Sequence, residues 1–115
     1  MITNDIPILQ KASDCYKLFY QYSIHFPKKD RFGIGQQCEQ QLLLLIRQII
    51  IASKTSRSEK LSVLYDASAT LDTIKILIRI MKELQIMDLK KYTALQEIVT
   101  ETGRMLGGWI KSCMP

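Results

Sequence analysis

The chain has 115 residues, of which 47% are hydrophobic and 23% charged, with five glycines and three prolines. This composition excludes wholesale disorder, disfavours turn-rich all-β folds, and fits one domain over residues 1–115 around one core. Lys and Arg outnumber Asp and Glu by 16 to 11, and the resulting +5 admits an anionic partner without requiring one.

Apolar residues recur at helical spacing almost throughout. In the first segment Ile8, Ala12, Cys15, Phe19, Tyr22 and Phe26 define one face, and Pro27 then punctuates the chain. The second segment carries Cys38, Leu42, Leu45, Ile49 and Ala52. A polar break follows at 53–58. There Ser56 and Glu59 have the spacing of a capping box, with Ser56 accepting from the third backbone N–H. The third segment places Leu64, Ala67, Leu71, Ile74, Ile78 and Met81 at a and d of a seven-residue repeat. Asp88 is a good N-cap for the fourth. Its stripe is Tyr92, Leu95, Val99, Thr102, Leu106, Trp109 and Cys113. Four such helices with short connections predict an all-α, up-down-up-down four-helix bundle.

Two helices carry more apolar residues than one stripe needs. At about 100° per residue, Leu43 and Ile50 fall roughly 150° from Leu45, and Ile76 and Ile80 about 160° from Ile78. These four residues are the expected interface of a homo-oligomer, the alternative being scattered surface hydrophobes. The positive charge is also uneven. Residues 40–82 hold seven basic side chains (Arg47, Lys54, Arg57, Lys60, Lys75, Arg79, Lys82) against three acidic ones, so +4 of the net +5 lies there. Lys75, Arg79 and Lys82 share one strip of the third helix, and Arg47 and Lys54 share one of the second. These strips are either a solvated face or a contact for a polyanion backbone, whose field an oligomer would multiply. No aromatic residue is interleaved with them along the sequence, so base stacking is not expected there.

Signals for catalysis fail. His25 is the only histidine, and Cys15, Cys38 and Cys113 lack metal-ligand spacing, so no metal or cofactor is expected. Gly33-Ile34-Gly35 lacks the third glycine and the preceding strand of a dinucleotide fingerprint. Glu97 and Glu101 are an i, i+4 pair expected to repel mildly. Gly103 and Gly107 imply either close packing or termination of the fourth helix at Gly107-Gly108. The odd, scattered cysteines fit a reducing cytoplasm. No apolar run reaches membrane length, and Met1 to Gln10 does not read as a secretion signal.

Three stretches resemble a known family. Phe26-Pro27-Lys28-Lys29-Asp30-Arg31-Phe32-Gly33-Ile34-Gly35-Gln36 resembles a segment of small bacterial four-helix bundles, which include proteins encoded in intervening sequences of 23S ribosomal RNA genes. Glu101-Thr102-Gly103-Arg104-Met105-Leu106-Gly107-Gly108-Trp109-Ile110-Lys111 looks like the ending of one branch, the accessory variability determinant of diversity-generating retroelements. Leu71, Asp72, Leu77 and Arg79 are similar to that branch's third-helix core, with Ile74 replacing a leucine. The resemblance covers roughly residues 8–112. It implies a non-catalytic, homopentameric accessory protein that binds a reverse transcriptase and template RNA, supporting mutagenic cDNA synthesis and retrohoming. The alternative is a basic interaction protein of the intervening-sequence branch. Arg79, in both the family-like segment and the basic strip, is the first expected contact. Lys75, Lys82, Arg47, Lys54 and Arg57 follow on charge.

Overall fold

Four long helices follow the apolar periodicity. The computed structural model describes residues 6–115, so the reading of Met1 to Gln10 lies partly outside the described residues. The long helices are α1 (Ile6–Ser23), α3 (Ile34–Lys54), α4 (Arg57–Glu83) and α5 (Leu89–Cys113), and a single turn, α2 (Lys28–Arg31), lies between α1 and α3. No strand occurs among the described residues. Helix α1 packs against α3 and α5, and α4 against the same two, which makes an all-α four-helix bundle of 45 × 21 × 21 Å. The 27 residues of α4 alone account for about 40 Å of that length at 1.5 Å per residue.

The core follows the expected stripes, with Met87 of the α4–α5 connection added to it. Ile8, Ala12, Cys15 and Phe19 of α1 are buried against Leu42, Leu45 and Ile49 of α3, all six α4 stripe residues, and Leu95, Val99 and Leu106 of α5. Burying each large aliphatic side chain contributes about 1.5–3 kcal/mol, so this stripe supplies the main stabilisation. Tyr22, Tyr92, Trp109 and Cys113 lie near helix ends and are only partly buried.

The α1–α3 connection is built around aromatic packing. Phe26 lies beyond α1 yet is buried, with its ring edge-on to Phe19 at 6.0 Å between centroids. The Pro27 carbonyl accepts from the backbone N–H groups of Asp30 and Arg31, both at 2.9 Å, which starts α2. A Cβ at Gly35 would stand 2.9 Å from the Asp30 carbonyl oxygen and 3.3 Å from Phe26, so only glycine lets α3 approach the turn this closely.

Caps define the other ends. Asp88 accepts from the Lys91 N–H at 2.8 Å, as expected. Ser56 is the N-cap of α4, but its side chain makes no cap bond. Its hydroxyl instead stands 3.4 Å from both Glu59 Oε2 and Ser58 Oγ, so the expected capping box is not formed. The carbonyl of Ser56 accepts the first helical bonds from Glu59 and Lys60. Helix α4 closes in a Schellman arrangement: Ile86 N–H donates to the Met81 carbonyl at 2.9 Å and Gln85 N–H to the Lys82 carbonyl at 3.0 Å. Gln85 takes φ 62° there, a conformation that favours glycine.

Termination of α5 at Gly107-Gly108 does not occur, because the helix runs on to Cys113. Trp109 and Ile110 pack on the core beyond the glycines, and Arg57 Nη2 donates to the Ser112 carbonyl at 2.9 Å, holding the last turn.

Candidate nucleic-acid interface

The three α4 cations stand on the flank of that helix nearest α5. Asp72, Lys75, Ile76 and Arg79 of α4 line a shallow groove of about 320 Å³ with Tyr92 and Gln96 of α5. Lys82, a turn beyond, holds its Nζ 4.7 Å from the centre of the Tyr92 ring. Lys75 Nζ lies 3.9 Å from Asp72 Oδ1 across an exposed i, i+3 pair, while Arg79 is exposed and has no salt-bridge partner among the described residues. The groove thus holds two cations and one carboxylate, with the Lys82 ammonium beside it. Its exposed charges are screened over about 8–10 Å at ordinary salt.

Helix α5 contributes what the sequence spacing did not show. Tyr92 is ten residues from Lys82 in the chain, and only the antiparallel packing of α4 on α5 makes them neighbours. The expectation that no aromatic residue accompanies this strip is therefore corrected. Gln96 brings a buried amide oxygen with no hydrogen-bond partner among the described residues. No local periodicity marked either residue. Gly103 serves the same flank, since a Cβ there would meet Leu71 at 3.3 Å and Lys75 Nζ at 3.6 Å. Gly107 and Gly108 are exposed with nothing within 4 Å of an added Cβ, so neither explanation offered for Gly107 applies within the protomer.

The remaining cations lie elsewhere. Arg57 and Arg79 are 22 residues apart on one helix, about 33 Å along its axis, so the six expected contacts do not form one site. Arg57 holds the end of α5 through Ser112. Arg47 and Lys54 are exposed on α3, where Leu43, Arg47, Ile50 and Lys54 step by four, three and four along the outer strip. Leu43 is 47% exposed and Ile76 45%, while Ile50 and Ile80 are half-buried. Ile76 lines the cationic groove itself. Apolar and cationic candidates thus share surfaces. Leu44 and Ile51, seven apart on α3 and exposed, extend the apolar part and were not singled out by sequence.

Two of the three thiols are buried and one of the paired carboxylates is engaged. Burial pushes the Cys15 thiol up to about 12, and Cys38 is pushed up further with Cys15 nearby. Neither is a nucleophile at neutral pH. Arg104 donates to Glu101 twice, through Nε at 2.8 Å and Nη2 at 2.6 Å. That pairing, through the Arg104 hydrogen bonds, holds the Glu101 carboxyl below its usual range. Among the described residues no group of three His, Cys, Asp or Glu could hold a metal ion, and no helix is long and apolar enough to cross a membrane.

Comparison with known proteins adds one finding. The sequence profile of the family described as bAvd-like matches residues 6–113, from the start of α1 to the end of α5. No curated protein matches the chain.

Proposed function

The chain belongs to the bAvd-like family, and from that premise we propose that it is a non-catalytic accessory protein of a diversity-generating retroelement. In this role it binds the element's reverse transcriptase and template RNA and supports mutagenic cDNA synthesis. The observation that carries the reading is the span of the family match, which takes in the entire bundle. The α4–α5 groove is compatible with it. Lys75, Arg79 and Lys82 offer charge to a phosphate backbone without the base-edge contacts that sequence reading would need.

The working form is a homo-oligomer, a pentamer on the family resemblance. Leu43, Ile50, Ile76 and Ile80 cover apolar surface between subunits. A ring repeats each cationic strip around one body, which turns a modest charge per chain into a strong local field.

Two measurements test this. The purified protein should shift single-stranded RNA, with log affinity falling against log salt by about 0.7 per phosphate neutralised. It should also co-purify with the reverse transcriptase encoded beside it. Absence of RNA binding at low salt, together with no polymerase association, would overturn the reading.

A further inference from the structure

We propose that the end of the bundle formed by the α1–α3 and α4–α5 connections binds single-stranded nucleic acid, with Phe32 as a platform on which a base stacks. The proposal deepens the RNA-binding role above and rests on it. It extends that binding from the α4–α5 groove, whose Lys82 it shares, to the end of the bundle and names the strandedness of the ligand.

The antiparallel order of the helices brings the two connections to one end. Lys91, at the start of α5, holds its Nζ 5.5 Å from the Tyr22 ring at the end of α1, which ties the two connections together. Cations crowd this end. Lys28, Lys29 and Arg31 come from the single turn α2, and Lys82, Lys90 and Lys91 from the α4–α5 side. Three carboxylates stand among them, Asp30, Glu83 and Asp88, and Asp88 is engaged with the Lys91 N–H.

Three of these cations each stand against an aromatic ring. Arg31 lies 5.5 Å from the Phe32 ring centre, Lys91 pairs with Tyr22, and Lys82 pairs with Tyr92. A surface that needed only to attract phosphates would gain nothing from exposed rings. Phe32 is 60% exposed at the C-cap of α2, with Leu84 and Leu89 exposed at 63% and 67% on the other connection. Cations tracking a backbone with aromatic faces beside them are the physical requirement for single strands, whose unpaired bases can stack. A duplex keeps its bases inside and meets only the charges.

The test is fluorescence anisotropy at low salt, with a labelled oligo(U) RNA and a blunt RNA duplex of equal length. Wild type, Phe32→Ala and Phe32→Tyr are compared, each checked for unchanged helicity by circular dichroism. Phe32→Ala should weaken single-strand binding by about 5- to 150-fold, the range for one base–aromatic stack. Duplex binding should be unchanged, and Phe32→Tyr should restore the single-strand affinity. Equal losses on both ligands, or no loss on either, would overturn the stacking surface. So would a fall in light-scattering mass for Phe32→Ala, which would assign Phe32 to a subunit contact. Phe32-dependent binding to phosphatidylserine vesicles with RNA binding unchanged would assign the end to a membrane surface and overturn it too. If the wild type binds RNA but ignores Phe32, only this inference fails. If the wild type binds no RNA at all, the proposed RNA-binding role fails with it.

Discussion

Lys82 and Tyr92 meet across the α4–α5 seam, with the ammonium 4.7 Å from the ring centre. The contact fixes a cation and a flat apolar face side by side at the mouth of the cationic groove. At a partly exposed site such a pair contributes roughly 0.5–1 kcal/mol. Its larger consequence is chemical, because an aromatic ring now stands in a strip that reads as purely charged along α4.

The α4 strip should carry RNA affinity. Reversing Lys75, Arg79 and Lys82 to Glu should lower binding at low salt and flatten the salt dependence by about 0.7 per lost phosphate contact on single strands. Helicity by circular dichroism should be unchanged, since none of the three is fully buried. Unchanged affinity and slope would move the contact off this groove.

Glycine substitutions on α5 should divide by position. Gly107→Ala and Gly108→Ala meet open space and should each stabilise the protomer by about 1 kcal/mol in urea unfolding, the cost of glycine inside a helix. Gly103→Ala should gain less or destabilise, because its Cβ presses on Leu71 at 3.3 Å. Equal gains at all three positions would contradict the packing of α5 on α4.

Gln85→Gly should raise stability by roughly 0.5–1 kcal/mol. The left-handed conformation at φ 62° costs a residue with a Cβ about 1–2 kcal/mol, offset in part by the greater freedom of glycine in the unfolded chain. A calorimetric melting temperature that does not rise would argue against the Schellman closure of α4.

The buried thiols should make stability fall in alkali. Cys15 is shifted from an ordinary 9.0 to about 12, and Cys38 moves the same way. Below about pH 9 both states keep the thiols protonated. Above it the unfolded chain ionises first, so stability declines by up to about 1.4 kcal/mol per pH unit for each thiol until the folded form ionises too. Urea midpoints between pH 8 and pH 11 should show a flatter decline in Cys15→Ala/Cys38→Ala than in wild type. In native protein a thiol reagent should label Cys113, which is only partly buried, well before the other two.

The apolar outer residues should set the assembly. Leu43→Glu with Ile76→Glu, two exposed positions, should leave the protomer folded and reduce the mass measured by light scattering. A wild type that is monomeric at micromolar concentration would remove the oligomer from the proposal. An unchanged mass in the double variant would move the interface elsewhere, with Leu44 and Ile51 the next residues to test.

Helix identity, helix order and the core were legible from the amino-acid sequence, because each depends on spacing within one segment. Leu64 through Met81 recur every three or four residues, and a helix with that pattern has one face it must bury. Asp88 was legible for the same reason, since an N-cap acts three residues away. The family was legible only through shared motifs, not through any chemistry the residues perform alone. What the tertiary structure decided was which faces meet. Tyr92 beside Lys82, Arg57 on the last turn of α5, and Gly103 beneath Lys75 all depend on the register of one helix against another. That register arises from packing many side chains at once, so no strip of a single helix records it. The fold likewise holds Arg57 about 33 Å from Arg79 along α4, cations that the linear count had grouped together.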